Sequence, residues 1–100
     1  MNFIVQVDFP YSGPFGEQMS AAMQGLAEDI AAEPGLVWKI WTESEKEQIA
    51  GGVYLFDNEA DARRYVDKHT ARLTAFGITG IRALVVSTND PFSRIDRAPL

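Results

Sequence analysis

Four segments of this 100-residue chain are rich in β-branched and aromatic residues, and they carry apolar side chains on both faces of any sheet they form. Period-two alternation places one set of side chains on a common face: Phe3, Val5, Val7, Phe9, Leu36, Trp38 and Ile40. The opposite positions are also apolar, and they hold Ile4, Val37, Trp41, Leu84, Val86 and one of Val53 and Tyr54. An antiparallel sheet with one wet face would carry polar residues at these positions.

The order of elements along the chain predicts one small domain over residues 1–100. Strands are predicted at 3–9, 36–42, 49–56 and 81–88, where β-formers cluster between turn residues. Helical spacing of apolar residues predicts a first helix over 17–32 and a second from Asp57 or Asn58 to about residue 75. The resulting βαββαβ order is typical of a ferredoxin-like α+β fold, with a four-stranded antiparallel sheet and both helices on one face.

Two helices on one face leave the second apolar face of the sheet uncovered. A soluble monomer rarely exposes a contiguous apolar patch larger than a few hundred Å². Face-to-face packing of two sheets about a twofold axis removes that surface from water. The sequence therefore predicts a homodimer.

Charge and composition disfavour several classes of protein. The net charge is −5 and the nine basic residues are scattered, whereas a nucleic-acid binder or an anionic membrane surface calls for a concentrated basic patch. No apolar run approaches the roughly 18 residues of a membrane span, and the first residues show no secretion signal. Cysteine is absent, which fits a cytoplasmic protein.

His69 is the only histidine and lies on the predicted inward stripe of the second helix. Tyr65 precedes it by one helical turn, and Arg72 follows three residues later, so the three side chains share or flank one face. One interpretation is a catalytic general base, or a polar anchor, inside an apolar cavity. The other is a core histidine hydrogen-bonded near a helix end, and the pattern alone favours this second interpretation.

Aromatic residues on the strands offer candidate walls for a ligand cavity. Trp38, Trp41, Tyr54 and Tyr65 suit a flat aromatic ligand, although strand aromatics are more often core or interface residues. Parity with Leu36 places Trp38 under the helices, and the opposite parity places Trp41 against a partner subunit.

Two loops carry weaker signals. The glycines of Gly13-Pro14-Phe15-Gly16 precede a helix and could cradle an anion, but a shaped turn is the preferred interpretation. The acidic segment 43–47 is interpreted as a solvated hairpin loop.

Several blocks of the sequence, taken in order, resemble the YdhR-like mono-oxygenase family. They are Gly13-Pro14-Phe15-Gly16, the run from Pro34 to Glu45 that contains Trp-Lys-Ile-Trp-Thr-Glu-Ser-Glu, the run Gly51-Gly52-Val53-Tyr54-Leu55-Phe56, and Lys68-His69-Thr70-Ala71-Arg72-Leu73. The likeness covers essentially the whole chain. It implies a dimeric α+β barrel with a ligand cavity between sheet and helices.

The resemblance also implies a chemistry. Mono-oxygenases of this superfamily oxidise polycyclic phenols or quinols with molecular oxygen and use no metal or organic cofactor. Haem-degrading relatives place a histidine ligand in the second helix, at a position that falls near Tyr65 here. Because His69 lies one turn later, the resemblance does not carry haem binding to this chain.

Three hypotheses follow from these observations. The first is a cofactor-independent mono-oxygenase that holds a phenol between Trp38 and Tyr54, with Trp41 nearby, while His69 assists its deprotonation. Arg72 or Tyr65 would stabilise the phenolate. The second is a binding protein that uses the same cavity for an aromatic ligand without catalysis. The third is an assembly protein whose space between sheet and helices is filled, with no cavity near His69.

Overall fold

The computed structural model describes residues 1–100 and contains four strands and four helices. The strands are β1 (Phe3–Pro10), β2 (Leu36–Ser44), β3 (Ile49–Phe56) and β4 (Arg82–Ser87). The helices are α1 (Gly16–Ala22), α2 (Gln24–Ala31), α3 (Glu59–Ala75) and α4 (Asp90–Ile95). All strand pairs are antiparallel and the sheet order is β2-β3-β1-β4, which confirms the predicted α+β fold and four-stranded sheet.

The hydrophobic core lies between α1–α3 and one side of the sheet, which we call the helix face. Register pairs Val5 with Tyr54 and Val7 with Gly52, so these residues point to the same side. The buried core contains Val5, Val7, Phe9, Met19, Ile30, Ala50, Tyr54, Phe56, Ala62, Tyr65 and Leu73. Burial of each larger side chain contributes about 1.5–3 kcal/mol, which makes this cluster the main source of stability.

Helix α3 follows the sequence pattern closely. The side-chain oxygen of Asn58 accepts a hydrogen bond from the backbone N–H of Asp61 at 2.8 Å and caps the N-terminus. The helix ends at Ala75, and Gly77 follows with φ +85°. Its inward stripe buries Tyr65 and His69, as predicted.

The first helical segment is two helices rather than the single predicted one over 17–32. Met23 separates α1 from α2, and its backbone, at φ −107° and ψ 11°, is not helical. Apolar spacing continues across the break, so the periodicity gave no sign of it. None of the four helices has both the length and the hydrophobicity that a bilayer crossing requires.

A β-bulge in β2 reverses the predicted orientation of the two tryptophans. Leu36 lies opposite Phe56 and Trp38 lies opposite Leu55, which leaves Val37 as an extra residue. After the bulge, Lys39 pairs with Tyr54 and Trp41 pairs with Gly52 on the helix face. The placement of Trp38 under the helices and of Trp41 at the partner is therefore wrong, because one inserted residue exchanges the two faces of all that follows.

The other side of the sheet, which we call the open face, exposes apolar side chains. Ile40 is 56% exposed, Leu84 54% and Val86 38%, so the predicted second apolar face exists on the single chain. The C-terminal segment reaches the same side, where the indole N–H of Trp38 donates to the carbonyl oxygen of Pro99 at 2.9 Å. The homodimer remains a prediction.

Candidate functional site

A cavity of about 50 Å³, partly open to solvent, lies between the helix face and helices α1–α3. Eleven of its fifteen lining residues are hydrophobic, so any ligand is held mainly by apolar contact. Its aromatic walls come from Phe9, Tyr11, Trp41, Tyr54 and Phe76. The ionisable side chains on its wall are those of Tyr11, Lys39, Tyr54 and His69.

His69 is held in one neutral form by Arg72. The Nη2 group of Arg72 lies 2.8 Å from Nδ1 of His69, and Nη1 lies 2.7 Å from a carboxylate oxygen of Asp29. A guanidinium only donates hydrogen bonds, so Nδ1 accepts and the ring proton sits on Nε2. Burial, then the Arg72 and Lys39 cations, lowers the pKa of His69 from 6.5 to about 3. The imidazole is therefore a hydrogen-bond donor at neutral pH, with no nitrogen free to act as a base.

Two tyrosines, Tyr65 and Tyr54, pack beside His69. The ring of Tyr65 stacks on His69 with 5.1 Å between centroids and 17° between planes. The hydroxyl of Tyr65 donates to the hydroxyl oxygen of Tyr54 at 3.1 Å, and both side chains are 1% exposed. Burial raises the pKa of Tyr54 to about 12, and burial together with Tyr54 raises the pKa of Tyr65 further. Both phenols stay protonated at neutral pH.

Lys39 enters the cavity from β2, beside Trp41. Its Nζ lies 3.3 Å from the centroid of the Trp41 ring and 4.7 Å from that of Tyr54, within the range of cation–π attraction. Lys39 takes part in no ion pair. Burial, followed by the positive charge of Arg72, lowers the pKa of Lys39 from 10.5 to about 7.

The loop before α1 contributes Tyr11 to the cavity wall. The backbone N–H of Gly16 donates to a carboxylate oxygen of Glu43 at 2.7 Å, so the first turn of α1 already has an anionic partner. Glu43 therefore joins the end of β2 to α1, although it is exposed, as are most residues of the hairpin loop predicted at 43–47 to be solvated. The hydroxyl of Tyr11, on the same wall, is buried without a hydrogen-bond partner, and burial followed by Glu43 raises its pKa.

A comparison with protein families gives a match that covers nearly the whole chain. A family model described as "Putative mono-oxygenase ydhR" matches residues 4–99. The chain belongs to this family. No curated protein matches the YdhR-family chain.

The cavity of this YdhR-family protein is smaller than the first hypothesis expected. A space of about 50 Å³ holds about two to four water molecules and is too small for the polycyclic phenol that the resemblance implies. Outside it lies a cleft of about 360 Å³, within the size range typical of small-molecule sites. Cavity and cleft share Met19, Met23 and Trp41, so these three side chains form the partition between them.

The structure brings together most of the residues singled out in the sequence. His69, Tyr54 and Trp41 line the cavity. Tyr65 and Arg72 do not line it, but Tyr65 is hydrogen-bonded to Tyr54 and Arg72 to His69. Trp38 lies on the open face of this YdhR-family protein and lines no part of the cavity.

The sequence interpretation missed three features of the site. Lys39 was not singled out, because no sequence signal marked the bulge that turns it to the helix face. Tyr11 and the two methionines of the partition, Met19 and Met23, were not singled out as site residues either. No group of three or more His, Cys, Asp or Glu side chains is arranged to hold a metal ion in this YdhR-family protein.

Proposed function

We propose that this YdhR-family protein is a cofactor-independent mono-oxygenase that oxidises an electron-rich phenol or quinol with molecular oxygen. The observation that carries the proposal is the wall where the rings of Trp41 and Tyr54 lie beside the Nε2–H donor of His69. An apolar site with few polar groups suits a flat aromatic molecule that carries a hydroxyl or oxyanion. Family membership supports oxygen chemistry.

Without a cofactor, the substrate itself must reduce oxygen. An ionised phenol transfers one electron to O₂, and the phenoxyl radical and superoxide combine at the para carbon to form a C–O bond. The peroxide anion so formed takes up the proton that the phenol lost. Loss of the proton on the para carbon then accompanies cleavage of the O–O bond and release of hydroxide, which takes this second proton and becomes water. A phenol with a free para position thus gives a para-quinone and one water per O₂, with no external reductant.

His69 acts in this scheme as a donor to the phenolate oxygen, not as the base expected from the sequence. A neutral imidazole N–H aimed at a developing anion, in a site shielded from water, is more effective than the same donor in bulk solvent. Arg72 fixes the tautomer, and Tyr65 fixes the ring by stacking. Arg72 and Tyr65 are therefore positioning residues.

Substrate enters by displacement of the partition between cleft and cavity. Methionine side chains are unbranched and flexible, so Met19 and Met23 can rotate at low cost to join the two spaces. The break between α1 and α2 falls at Met23, whose backbone dihedral angles are not helical although its N–H donates to Met19 and its carbonyl oxygen accepts from Ala27.

The open face is the proposed interface of a homodimer. Its exposed apolar side chains include Ile40 on β2 and Leu84 and Val86 on β4. A second sheet packed against this face would remove them from water. Leu84→Lys is expected to give single subunits in sedimentation at micromolar concentration, because it places a charge in that interface. A monomeric wild-type protein would disprove the interface.

Oxygen uptake by metal-free protein tests the proposed activity. A panel of phenols, 1-naphthols and anthrones with a free para position should include a compound that consumes O₂ above the uncatalysed rate. His69→Phe keeps a flat ring but removes the N–H, so the rate should fall by about 10²–10³-fold, as for loss of an oxyanion donor. Arg63→Gln, on the exposed side of α3, serves as the matched control and should leave the rate unchanged.

The outcome of the same experiment separates the oxygenase from a binding protein. Saturable ligand binding with no oxygen uptake across the panel would refute the oxygenase and identify an aromatic-ligand-binding protein.

A further inference from the structure

The proposed reaction begins with removal of a phenolic proton, and His69 is not able to accept it. Its Nδ1 already accepts from Arg72, and its Nε2 carries a proton. Tyr54 and Tyr11, also on the wall, are phenols whose pKa values lie above the ordinary value of 10, so they are neutral at physiological pH. Among the ionisable groups on the cavity wall, this leaves Lys39.

The structure gives Lys39 the position that a proton acceptor needs. Its Nζ lies on the cavity wall between the rings of Trp41 and Tyr54, where a flat substrate would stack. Gly52 makes room for it, because a Cβ there would lie 2.7 Å from Cε of Lys39. Lys39 has no ion pair to break when it gives up a proton, and only its cation–π contacts with Trp41 and Tyr54 favour the charged form.

The charges around Lys39 favour its neutral form. Facing it from α3 are His69, which is neutral, and Arg72, whose positive charge is partly balanced by Asp29 of α2. From β3 it meets the neutral phenol of Tyr54. On its own strand, Glu43 is the carboxylate on the helix-face side, and it accepts a hydrogen bond from the backbone N–H of Gly16. Burial and Arg72 together bring the pKa of Lys39 to about 7, so a large fraction of the amine is free at neutral pH.

We propose that Lys39 is the general base of this site and that its amine accepts the phenolic proton of the bound substrate. The resulting ammonium–phenolate pair lies in the cavity, with His69 donating to the same oxygen. The oxygen step of this scheme rests on the proposed mono-oxygenase function, whereas the proton transfer requires only that a phenol binds.

The amine of Lys39 alone can carry both protons that the substrate loses in this reaction. Lys39 takes the O–H proton and returns it to the peroxide anion that forms when oxygen adds to the para carbon. It then takes the C–H proton from that carbon as the O–O bond breaks and the carbonyl forms. The departing hydroxide receives this second proton and leaves as water, which regenerates the neutral amine.

Anaerobic binding of 1-naphthol tests the proton transfer without any turnover. The naphtholate anion absorbs at longer wavelength than the neutral naphthol, so a titration from pH 6 to pH 10 reports the ionisation of the bound ligand. In the wild type, bound naphtholate is expected well below the pKa of naphthol in water. In Lys39→Met, which keeps the length of the side chain but removes the amine, bound naphthol should stay neutral over the same range.

Two further variants separate a base from a simple positive charge. Lys39→Arg keeps the cation but is always protonated, so the proton of bound naphthol should pass to the buffer, whereas the wild-type amine retains it. Proton release on binding, followed with a pH indicator, separates the two. Lys46→Met, in the exposed loop between β2 and β3, is the matched control and should behave as the wild type. Identical ionisation of bound naphthol in the wild type and Lys39→Met, or no saturable binding of naphthol, would overturn the inference.

Oxygen uptake gives a second, distinguishable readout. With an oxidisable phenol, Lys39→Met should lower kcat by about 10²–10⁴-fold and regain rate once the pH exceeds the pKa of the substrate itself. An unchanged rate in this variant would overturn Lys39 as the base and leave the oxygenase intact. Lysine-dependent ionisation of naphthol without oxygen uptake from any substrate would refute the oxygenase and leave Lys39 as a proton acceptor.

Discussion

Acidification is expected to destabilise the protein through its single histidine. His69 is 4% exposed, and burial, with the nearby Arg72 and Lys39 cations, lowers its pKa from 6.5 to about 3. Below pH 6.5 the unfolded chain binds a proton on this imidazole, whereas the folded protein does not until about pH 3. The free energy of unfolding therefore falls by about 1.4 kcal/mol per pH unit in this window. One and a half units, from pH 6.5 to pH 5, cost about 2 kcal/mol.

The other groups with a shifted pKa that bear on stability, Lys39, Asp8 and Asp61, change protonation mainly outside the range from pH 6.5 to pH 5. Lys39 has a folded pKa of about 7 and an unfolded value near 10.5, so its effect accumulates as the pH falls to about 7 and then levels off. Asp8 and Asp61 have pKa values below 3.8, so the stability they contribute is lost only as the pH falls through the acid range below this window. Between pH 6.5 and pH 5, His69 dominates the pH dependence.

Urea unfolding at half-unit pH steps and constant protein concentration measures this effect. The wild type should lose about 2 kcal/mol between pH 6.5 and pH 5. His69→Phe, which cannot bind a proton, should show a nearly flat profile over that range. Equal slopes in the two proteins would show that His69 is not held neutral by the fold, and the assignment of its tautomer would fail with it.

Three further substitutions test the construction of the site. Gly52→Ala should fold but displace the end of Lys39, since the new Cβ would lie 2.7 Å from its Cε. The rate of oxygen uptake should then fall on the order of 10²-fold, and less bound naphthol should be ionised at a given pH. Tyr65→Phe removes the donor to Tyr54 and should lower the free energy of unfolding by about 1 kcal/mol in urea. Asn58→Ala removes the cap of α3 and should cost about 1 kcal/mol, with fraying of the first turn seen as faster amide exchange.

Much of the fold could be predicted from the sequence because its signals are local and repeated. The strands alternate apolar residues with a period of two, and the stripe containing Tyr65, His69 and Leu73 recurs at helical spacing. Asn58 and Gly77 have the cap and stop chemistry that α3 uses. These features depend on neighbours within a few residues of one another.

The site itself was less predictable because it depends on register between distant strands. Val37 looks like an ordinary strand residue, yet it is the extra residue that brings Lys39 and Trp41 into the cavity and excludes Trp38. The role of His69 depends on which nitrogen Arg72 contacts, and helical spacing does not specify this. The break at Met23 is also invisible in the apolar pattern, since both helices present the same side to the sheet.

The extra residue in β2 also affects how relatives of this chain should be aligned. In a homologue without the bulge, the residue equivalent to Lys39 would stand two positions after the leucine of the strand, rather than three as here. An alignment anchored on the Pro34-Gly35 turn would then match the lysine with the wrong neighbour. Anchoring on the pair that faces Tyr54 across the ladder preserves the chemical equivalence, whatever the spacing to the turn.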